Sequence, residues 1–522
     1  MQRERRISRR RLVDRSCRAF GAVVGAGLIA ACRQGPGANV TGAPSPRPVA
    51  TPVGVAAGGP AVSAGQTPGR EATAPTSSTS STPATPPERP RAAALVANLG
   101  SSWTDLDYTP APADNPLKGF MPYAGAYQSF PYSMEWSYLP LRQLMTGAHR
   151  FTWDALDNLL ATVASRGHQA VFRVYLDYPT KPTGIPQFLL DSGLAVHHYT
   201  DQSNQTSVSP NYEDPHLQAV LQEFVAALGS RYDGDARLGF VEMGLLGFWG
   251  EWHTDPHPEW FASTATQGLV LRAYLDAFHQ TRVLVRYPQS DTTGMPIGYH
   301  DDSFAYATLP PPDTNFVGKL DAIGATENWK SQPVGGELRP ELQPCIWNDP
   351  SCAPAGQAYD DCVDGTHASW LLNQQVFADQ LQPDAATRAL AGARRLGYEF
   401  SVSSVKLAPI TATGTFQAHV QVRNTGRAPF YYHWPVQLAA IGDAGPVATW
   451  DTPLRLPTLL PGAVDTELVF QPGSDSLPTG GYYLAMRVMQ PLRNGKPLRF
   501  ANATQDASLP GWLTLGIMRI ER

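Results

Sequence analysis

The chain has 522 residues, 42% of them hydrophobic and 16% charged, with 48 Pro, 46 Gly and 12 Trp, which excludes a wholly disordered, coiled-coil or collagen-like protein and leaves room for two or three domains. The formal net charge is −5, but residues 1–18 carry eight Arg against Glu4 and Asp14, a net +6, so the rest of the chain carries −11. So acidic a body has no basic footprint for nucleic acid.

The arginine-rich start runs into a short uncharged stretch, residues 19–31, that ends at Cys32. This is the layout of a signal peptide, and it is too short for a stable membrane span. Ser8-Arg9-Arg10-Arg11-Leu12-Val13 resembles a twin-arginine export signal, and Ile29-Ala30-Ala31-Cys32 resembles a lipobox whose cysteine is acylated. The expected form is an exported lipoprotein anchored to the membrane at Cys32 and facing the periplasm or cell exterior; the alternative is an ordinary signal peptide cut near Cys32. From Arg33 to Ala92, 45 of 60 residues are Pro, Gly, Ser, Thr or Ala and none is aromatic. Such a segment buries too little apolar surface to offset its ordering entropy, so residues 32–92 read as a disordered linker with a mean span of roughly 45 Å.

Residues 93–392 alternate short apolar runs with helical patterns. A helix starts near Thr152 with Trp153, Leu156, Leu159, Leu160 and Val163 on one face, and another follows the Asp214 cap and Pro215, with Leu217, Val220, Leu221, Phe224, Val225 and Leu228 at helical spacing until Gly229. Seven strands are predicted at 119–123, 170–175, 238–245, 282–287, 297–304, 333–338 and 367–372, near-continuously apolar as strands buried on both faces are. Repeated strand–helix units over 300 residues predict a (β/α)8 barrel of the TIM type. From 393 to 522 the period changes to two: Phe416, Ala418, Val420 and Val422 face one way, and further strands lie at 464–470, 482–488 and 512–520. This predicts an antiparallel β-sandwich accessory domain, whose Tyr431, Tyr432 and Trp434 are expected to pack against the barrel. Cys345, Cys352 and Cys362 predict one local disulfide and one free thiol, and their spacing matches no zinc site.

In a barrel, chemistry gathers at the carboxyl ends of the strands and in the loops that follow. The densest such passage is 237–257, where Glu242 and Glu251 lie among Trp249, Trp252 and His253, with glycines at 244, 247 and 250. Carboxylates beside aromatic rings suit sugar chemistry: indoles stack on sugar faces, and a carboxyl in apolar surroundings keeps its proton for a leaving oxygen. Other candidate positions are Arg173 and Tyr175, Arg286, His300 with Asp301 and Asp302, Glu337, Trp329, and His367, which precedes Trp370. Each has a structural alternative; Glu242 in particular can be a buried carboxylate paired with Arg173 or Arg286. The His253/His257 pair is read as loop packing, so neither a metal nor another cofactor is expected. No GxSxG, HExxH, P-loop or GxGxxG motif occurs. A carbohydrate is the expected partner, and oligomeric state is open.

Four strings carry a family resemblance: Asn115-Pro116-Leu117-Lys118-Gly119-Phe120, the GLLGFWGEWH passage from Gly244 to His253, HDDSF from His300 to Phe304, and Asn424-Thr425-Gly426. Residues 93–522 resemble the bacterial family labelled domain of unknown function 4832, with its companion N-terminal domain 4874. The resemblance implies a barrel similar to glycoside hydrolases with a β-sandwich appended. Retaining hydrolases of that type place an acid/base carboxylate after strand four and a nucleophile after strand seven, which maps Glu251, with Glu242 as rival, to the acid and Glu337 to the nucleophile. The usual Asn before the acid is replaced by Val241 or Gly250. The function expected is glycoside hydrolysis by two carboxylates, and the alternative is a non-catalytic carbohydrate-binding surface lipoprotein.

Overall fold

The computed structural model describes residues 96–521 except 202–203, 312–313, 349–355, 379–380, 409–415, 463 and 473–476. The export signal, the Cys32 lipobox and the linker lie outside the described residues, as does Cys352. Among the described residues no helix is long and apolar enough to cross a membrane.

Eight strands form the barrel: β1 (Gly119–Met121), β2 (Met134–Pro140), β3 (Gln169–Tyr175), β4 (Leu238–Glu242), β5 (Val283–Val285), β6 (Gly298–Phe304), β7 (Val334–Leu338) and β8 (Trp370–Leu372). The sheet order is β1-β8-β7-β6-β5-β4-β3-β2 with every ladder parallel. It closes just past β1, where Ala124 N–H donates to Trp136 O (2.8 Å) and Trp136 N–H to Pro122 O (2.9 Å). All seven strands read from the sequence are present. The eighth, β2, has Glu135 and Ser137 in its middle and Pro140 at its end, which breaks the apolar run that marks a doubly buried strand. Its Glu135 is fully buried and satisfied by Arg166, His168 and the Gly125 N–H.

Helices α1 (Asp154–Ser165), α2 (Pro215–Tyr232), α3 (Thr264–Ala277), α4 (Phe316–Ala322), α5 (Tyr359–Thr366) and α6 (Pro383–Arg395) sheath the barrel. Asp214 caps α2, its carboxylate accepting from the N–H groups of His216 and Leu217 at 2.8 and 3.0 Å. The helix does not stop at Gly229. It runs one turn further because that glycine sits where α2 crosses α3: a Cβ there would lie 2.3 Å from Ala277 O.

The sandwich follows as β9 (Phe400–Ala408), β10 (Gln417–Asn424), β11 (Val436–Gly442), β12 (Gly445–Asp451), β13 (Thr466–Phe470), β14 (Gly480–Val488) and β15 (Leu513–Ile520). One antiparallel sheet is β9-β10-β13 with the short strand Thr104–Asp105 on the edge of β9, and the other is β12-β11-β14-β15. Residues 99–108 therefore travel with the sandwich, Leu99 N–H also reaching Ile517 O at 2.7 Å. Along β10, Ala418, Val420 and Val422 are buried and alternate with partly exposed neighbours. Cys345 is disulfide-bonded, whereas Cys362 is a free, buried thiol.

The two domains share one apolar core. Leu117, Met134, Val171, Phe240, Leu284 and Trp370 from inside the barrel cluster with Tyr398, Phe400 and Phe430 and the sandwich interior. Polar contacts edge it: Lys118 donates to Tyr398 O (2.7 Å) and Arg394 O (3.0 Å), Tyr431 OH to Trp329 O (2.7 Å), and Arg282 N–H to Tyr432 OH (3.1 Å). The barrel residues in these contacts belong to the amino ends of strands, so the sandwich closes the floor and leaves the carboxyl ends for a site. Deleting residues 393–522 exposes this shared core, and the expected product is an aggregating barrel; a soluble, cooperatively unfolding 93–392 fragment would contradict it.

Candidate active site

The site grows from the loop after β4. Gly244 lies where a Cβ would come within 2.0 Å of Val174 O, so the chain can cross β3 only with glycine there. Backbone bonds then tie the loop into a compact knot: Leu245 N–H to Val174 O (2.7 Å), Trp249 N–H to Asp177 O (2.8 Å), Phe248 N–H to His253 O (2.7 Å) and Trp252 N–H to Leu246 O (2.9 Å). Leu245, Trp249 and Trp252 all have positive φ, at 72°, 55° and 60°. Such strain in non-glycine residues persists only where surrounding contacts over-determine it, and it gathers at functional sites.

This knot delivers Glu251 to the mouth of the barrel. Its Oε1 accepts from Arg173 Nη1 at 3.0 Å and from Tyr138 OH at 3.1 Å. Its Oε2 is held more loosely, 3.7 Å from His253 Nε2 and 3.8 Å from Arg286 Nη1. His253 Nδ1 accepts the Asp255 N–H at 3.2 Å, so the neutral ring carries its proton on Nε2, toward Glu251. Burial alone would raise the Glu251 pKa, but His253, Arg286 and Arg173 outweigh it and hold the carboxyl well below its usual range. Glu337, on the inner face of β7, has the opposite bias. Burial and the Glu251 charge push it up to about 8, more than Arg173 and Arg286 pull it down. At neutral pH the mouth thus holds one ionised and one protonated carboxyl, a division suited to acid–base chemistry.

Below them lies a sealed layer. Arg173, 1% exposed, bridges Glu251 to Glu242 (Nη2 to Oε2, 3.1 Å), and Glu242, also 1% exposed, faces His300 Nδ1 at 3.1 Å. The His300 ring lies between Trp136 and Trp370, 5.7 Å from each. Glu242 as acid and His300 as substrate ligand are therefore corrected: both are covered by Arg173 and the indoles, and they hold the floor of the site. Arg286 pairs with Asp302 and donates to Glu251 O at 3.0 Å.

Five further candidates are also corrected. Asp301 is one residue out of phase with the inward-facing His300 and Asp302, so it points outward and accepts from Thr308 Oγ1 at 2.7 Å. Trp252 is core, its Nε1 donating to Met243 O at 2.7 Å. Trp329 and His367 stack on each other at 3.6 Å, but in loops that precede β7 and β8, on the floor where His367 Nδ1 meets Arg427 O. Tyr175 is buried and backs Tyr178, ring to ring at 5.1 Å.

The wall is instead built from tyrosines that sequence reasoning missed. Tyr138 at the end of β2, Tyr178 after β3 and Tyr123 after β1 surround Glu251 and Glu337, with Trp249 6.3 Å from Tyr178. Burial, reinforced by Glu251, raises the Tyr178 hydroxyl to about 12, so it is a neutral donor. Their signal was position: each lies near the carboxyl end of an inner strand, and Tyr138 was hidden with its strand. Asp177 was also missed; it is fully buried, takes the Tyr199 hydroxyl at 2.6 Å, and burial raises it to about 7. Through its backbone bond to Trp249 it joins the hairpin of Val196–Thr200 and Thr206–Pro210 to the Glu251 loop.

Among the described residues no group of three His, Cys, Asp or Glu is placed to hold a metal; His257 stacks on Trp260 at 3.7 Å. No protein-family profile matches the chain, and no curated protein matches it in sequence. Solved structures similar to it include an endoglucanase from Pseudomonas stutzeri (10% identity, 46% of this chain and 72% of that one, TM-score 0.26). Others are the catalytic domain of a β-amylase from Paenibacillus polymyxa (9%, 53% and 96%, 0.33) and a broad-specificity endoglucanase from an uncultured bacterium (8%, 50% and 81%, 0.31). Scores this low add nothing to the barrel that the strand order already establishes.

Proposed function

We propose that this protein is a glycoside hydrolase acting on a poly- or oligosaccharide, exported and held to the membrane at Cys32, and belonging to the 4832 family on the strength of its GLLGFWGEWH string. The single observation that carries the catalytic reading is the pair Glu251 and Glu337 at the carboxyl end of the barrel, oppositely biased in charge and walled by tyrosine and tryptophan. The electrostatics favour the reverse of the roles expected from strand position. Glu337 keeps its proton and donates it to the glycosidic oxygen. Glu251 stays ionised; Arg173 and Tyr138 fix its Oε1, leaving Oε2 to attack the anomeric carbon or to activate a water. Retention follows if the carboxyls lie roughly 5–5.5 Å apart in the substrate complex, and inversion at roughly 6.5–9.5 Å.

A screen of the protein against a panel of polysaccharides and aryl glycosides tests the reading, run beside Glu251→Gln and Glu337→Gln. Hydrolysis of a natural glycan that both substitutions abolish is the expected result. Binding without turnover, unchanged in both variants, would overturn it in favour of a carbohydrate-binding lipoprotein.

A further inference from the structure

We infer that the glycan is threaded through the mouth by an interior stretch and cut within the chain, with Tyr123 and Tyr306 stacking on sugar units at the two sides of the bond that breaks; the inference rests on the carbohydrate reading above. Glu251 follows β4 and Glu337 lies on β7, and these two strands divide the ring into one arc of β5 and β6 and another of β8, β1, β2 and β3. A glycosidic bond served by two carboxyls lies between them. Its chain therefore runs across the line that joins them, out over one arc in each direction.

Each arc carries one open ring. Among the described residues of the barrel, Tyr123 and Tyr306 are the two large apolar side chains left exposed, at 38% and 37%. Tyr123 comes two residues after β1 and Tyr306 two after β6, so both stand at the carboxyl end and neither at the floor. Geometry ties each to its side of the catalytic pair. A parallel bridge to Trp136 carries β1 on to Tyr123, which keeps it in phase with the inward-facing Met121. Its ring lies 6.5 Å from that of Tyr138, the phenol that donates to Glu251 at 3.1 Å. On the other arc, Arg339 N–H donates to Phe304 O at 3.2 Å, which extends β7 so that Arg339 shares the inner face with Glu337, two residues before it. The Arg339 guanidinium lies 3.8 Å from the Tyr306 ring centre, and its charge is met by Glu341 at 2.9 Å, so it serves to back the ring.

An open phenol ring beside a polar site is apolar area that the C–H face of a sugar covers. A site for chain ends needs such a platform on one arc only. Platforms on both hold sugar units at either side of the bond, so both products are oligosaccharides: the hydroxyl of a water goes to the anomeric carbon, and a proton, through Glu337, goes to the leaving oxygen.

The test incubates the protein with carboxymethylcellulose, mixed-linkage β-glucan, galactomannan, xylan and soluble starch. On the polymer it attacks, viscosity is expected to collapse while few reducing ends have formed, and a ladder of oligosaccharides is expected to appear. On an end-labelled hexasaccharide of that polymer, Tyr123→Ala and Tyr306→Ala are expected to move the cut in opposite directions, and each to raise KM about tenfold. Both rings are more than a third exposed, so the melting temperatures stay those of the parent. Mono- or disaccharides released from one end, with viscosity falling only in step with reducing ends, overturn the inference and leave the hydrolase standing, as do a cut position and a KM that neither variant moves. A polymer bound but not cut removes the hydrolase, and calorimetry then decides the inference: affinity that grows with chain length and falls in both variants keeps it, and affinity that neither variant changes ends it. If no glycan binds, both fall.

Discussion

Glu251→Gln and Glu337→Gln are each expected to lower kcat/KM on a natural glycan by about a thousandfold, within the range that removal of a positioned acid or base produces, yet to separate on an aryl glycoside with a good leaving group. Such a phenolate departs without a proton. The loss in Glu337→Gln should therefore shrink to about tenfold or less on that substrate, while Glu251→Gln stays inactive because the attack on the anomeric carbon is still missing. The pH profile follows from the same two groups. Activity needs Glu337 protonated and Glu251 ionised, so kcat/KM should fall as pH rises through about 8 and hold far into the acid range. Stability runs in step. A carboxyl raised in the folded state holds a proton that the unfolded chain has lost. Its contribution is fully present below the ordinary glutamate pKa and is lost as pH rises toward about 8, so Glu337→Gln should melt above the parent at alkaline pH. Rescue of Glu251→Gln rather than Glu337→Gln by the good leaving group would restore the roles assigned by strand position.

The second large effect is expected at Arg173. Its side chain is 1% exposed and lies between the carboxylates of Glu242 (0%) and Glu251 (14%). Arg173→Met leaves Glu242 buried with only His300 beside it, and breaking a buried ion pair from one side costs about 3–5 kcal/mol. Arg173→Lys recovers little, because one ammonium cannot reproduce the fork that reaches both carboxylates. Adding Glu242→Gln to Arg173→Met removes the stranded charge and should return about half of the loss. Chemical denaturation of the three variants checks this; an Arg173→Met protein as stable as the parent would overturn it.

The motif strings divide along the same line between floor and mouth. In the Asn115–Phe120 string, Asn115 exchanges two hydrogen bonds with the backbone of Arg499 and Lys118 anchors to Tyr398, so the string docks the sandwich and carries no chemistry. Asn424 likewise ties Ala428 and Leu459 within the sandwich. Only GLLGFWGEWH and part of HDDSF reach the site.

The sequence by itself determined what depends on local period and composition: seven of the eight barrel strands, the capped helix α2, the two-residue alternation of β10, and the glycine-punctuated loop that bears Glu251. It also named Arg173, Arg286 and Glu337 from their places on inner strands. Only the tertiary structure decided which of these side chains meet. One residue of register turns Asp301 outward and Asp302 inward, loop direction puts Trp329 and His367 on the floor, and the parallel pairing of β2 with β3 and β3 with β4 brings Tyr138 to Glu251 across 113 residues of chain. The charge states of Glu251 and Glu337 belong to that same level, because burial and neighbouring charge set them, and both come from parts of the chain remote in sequence.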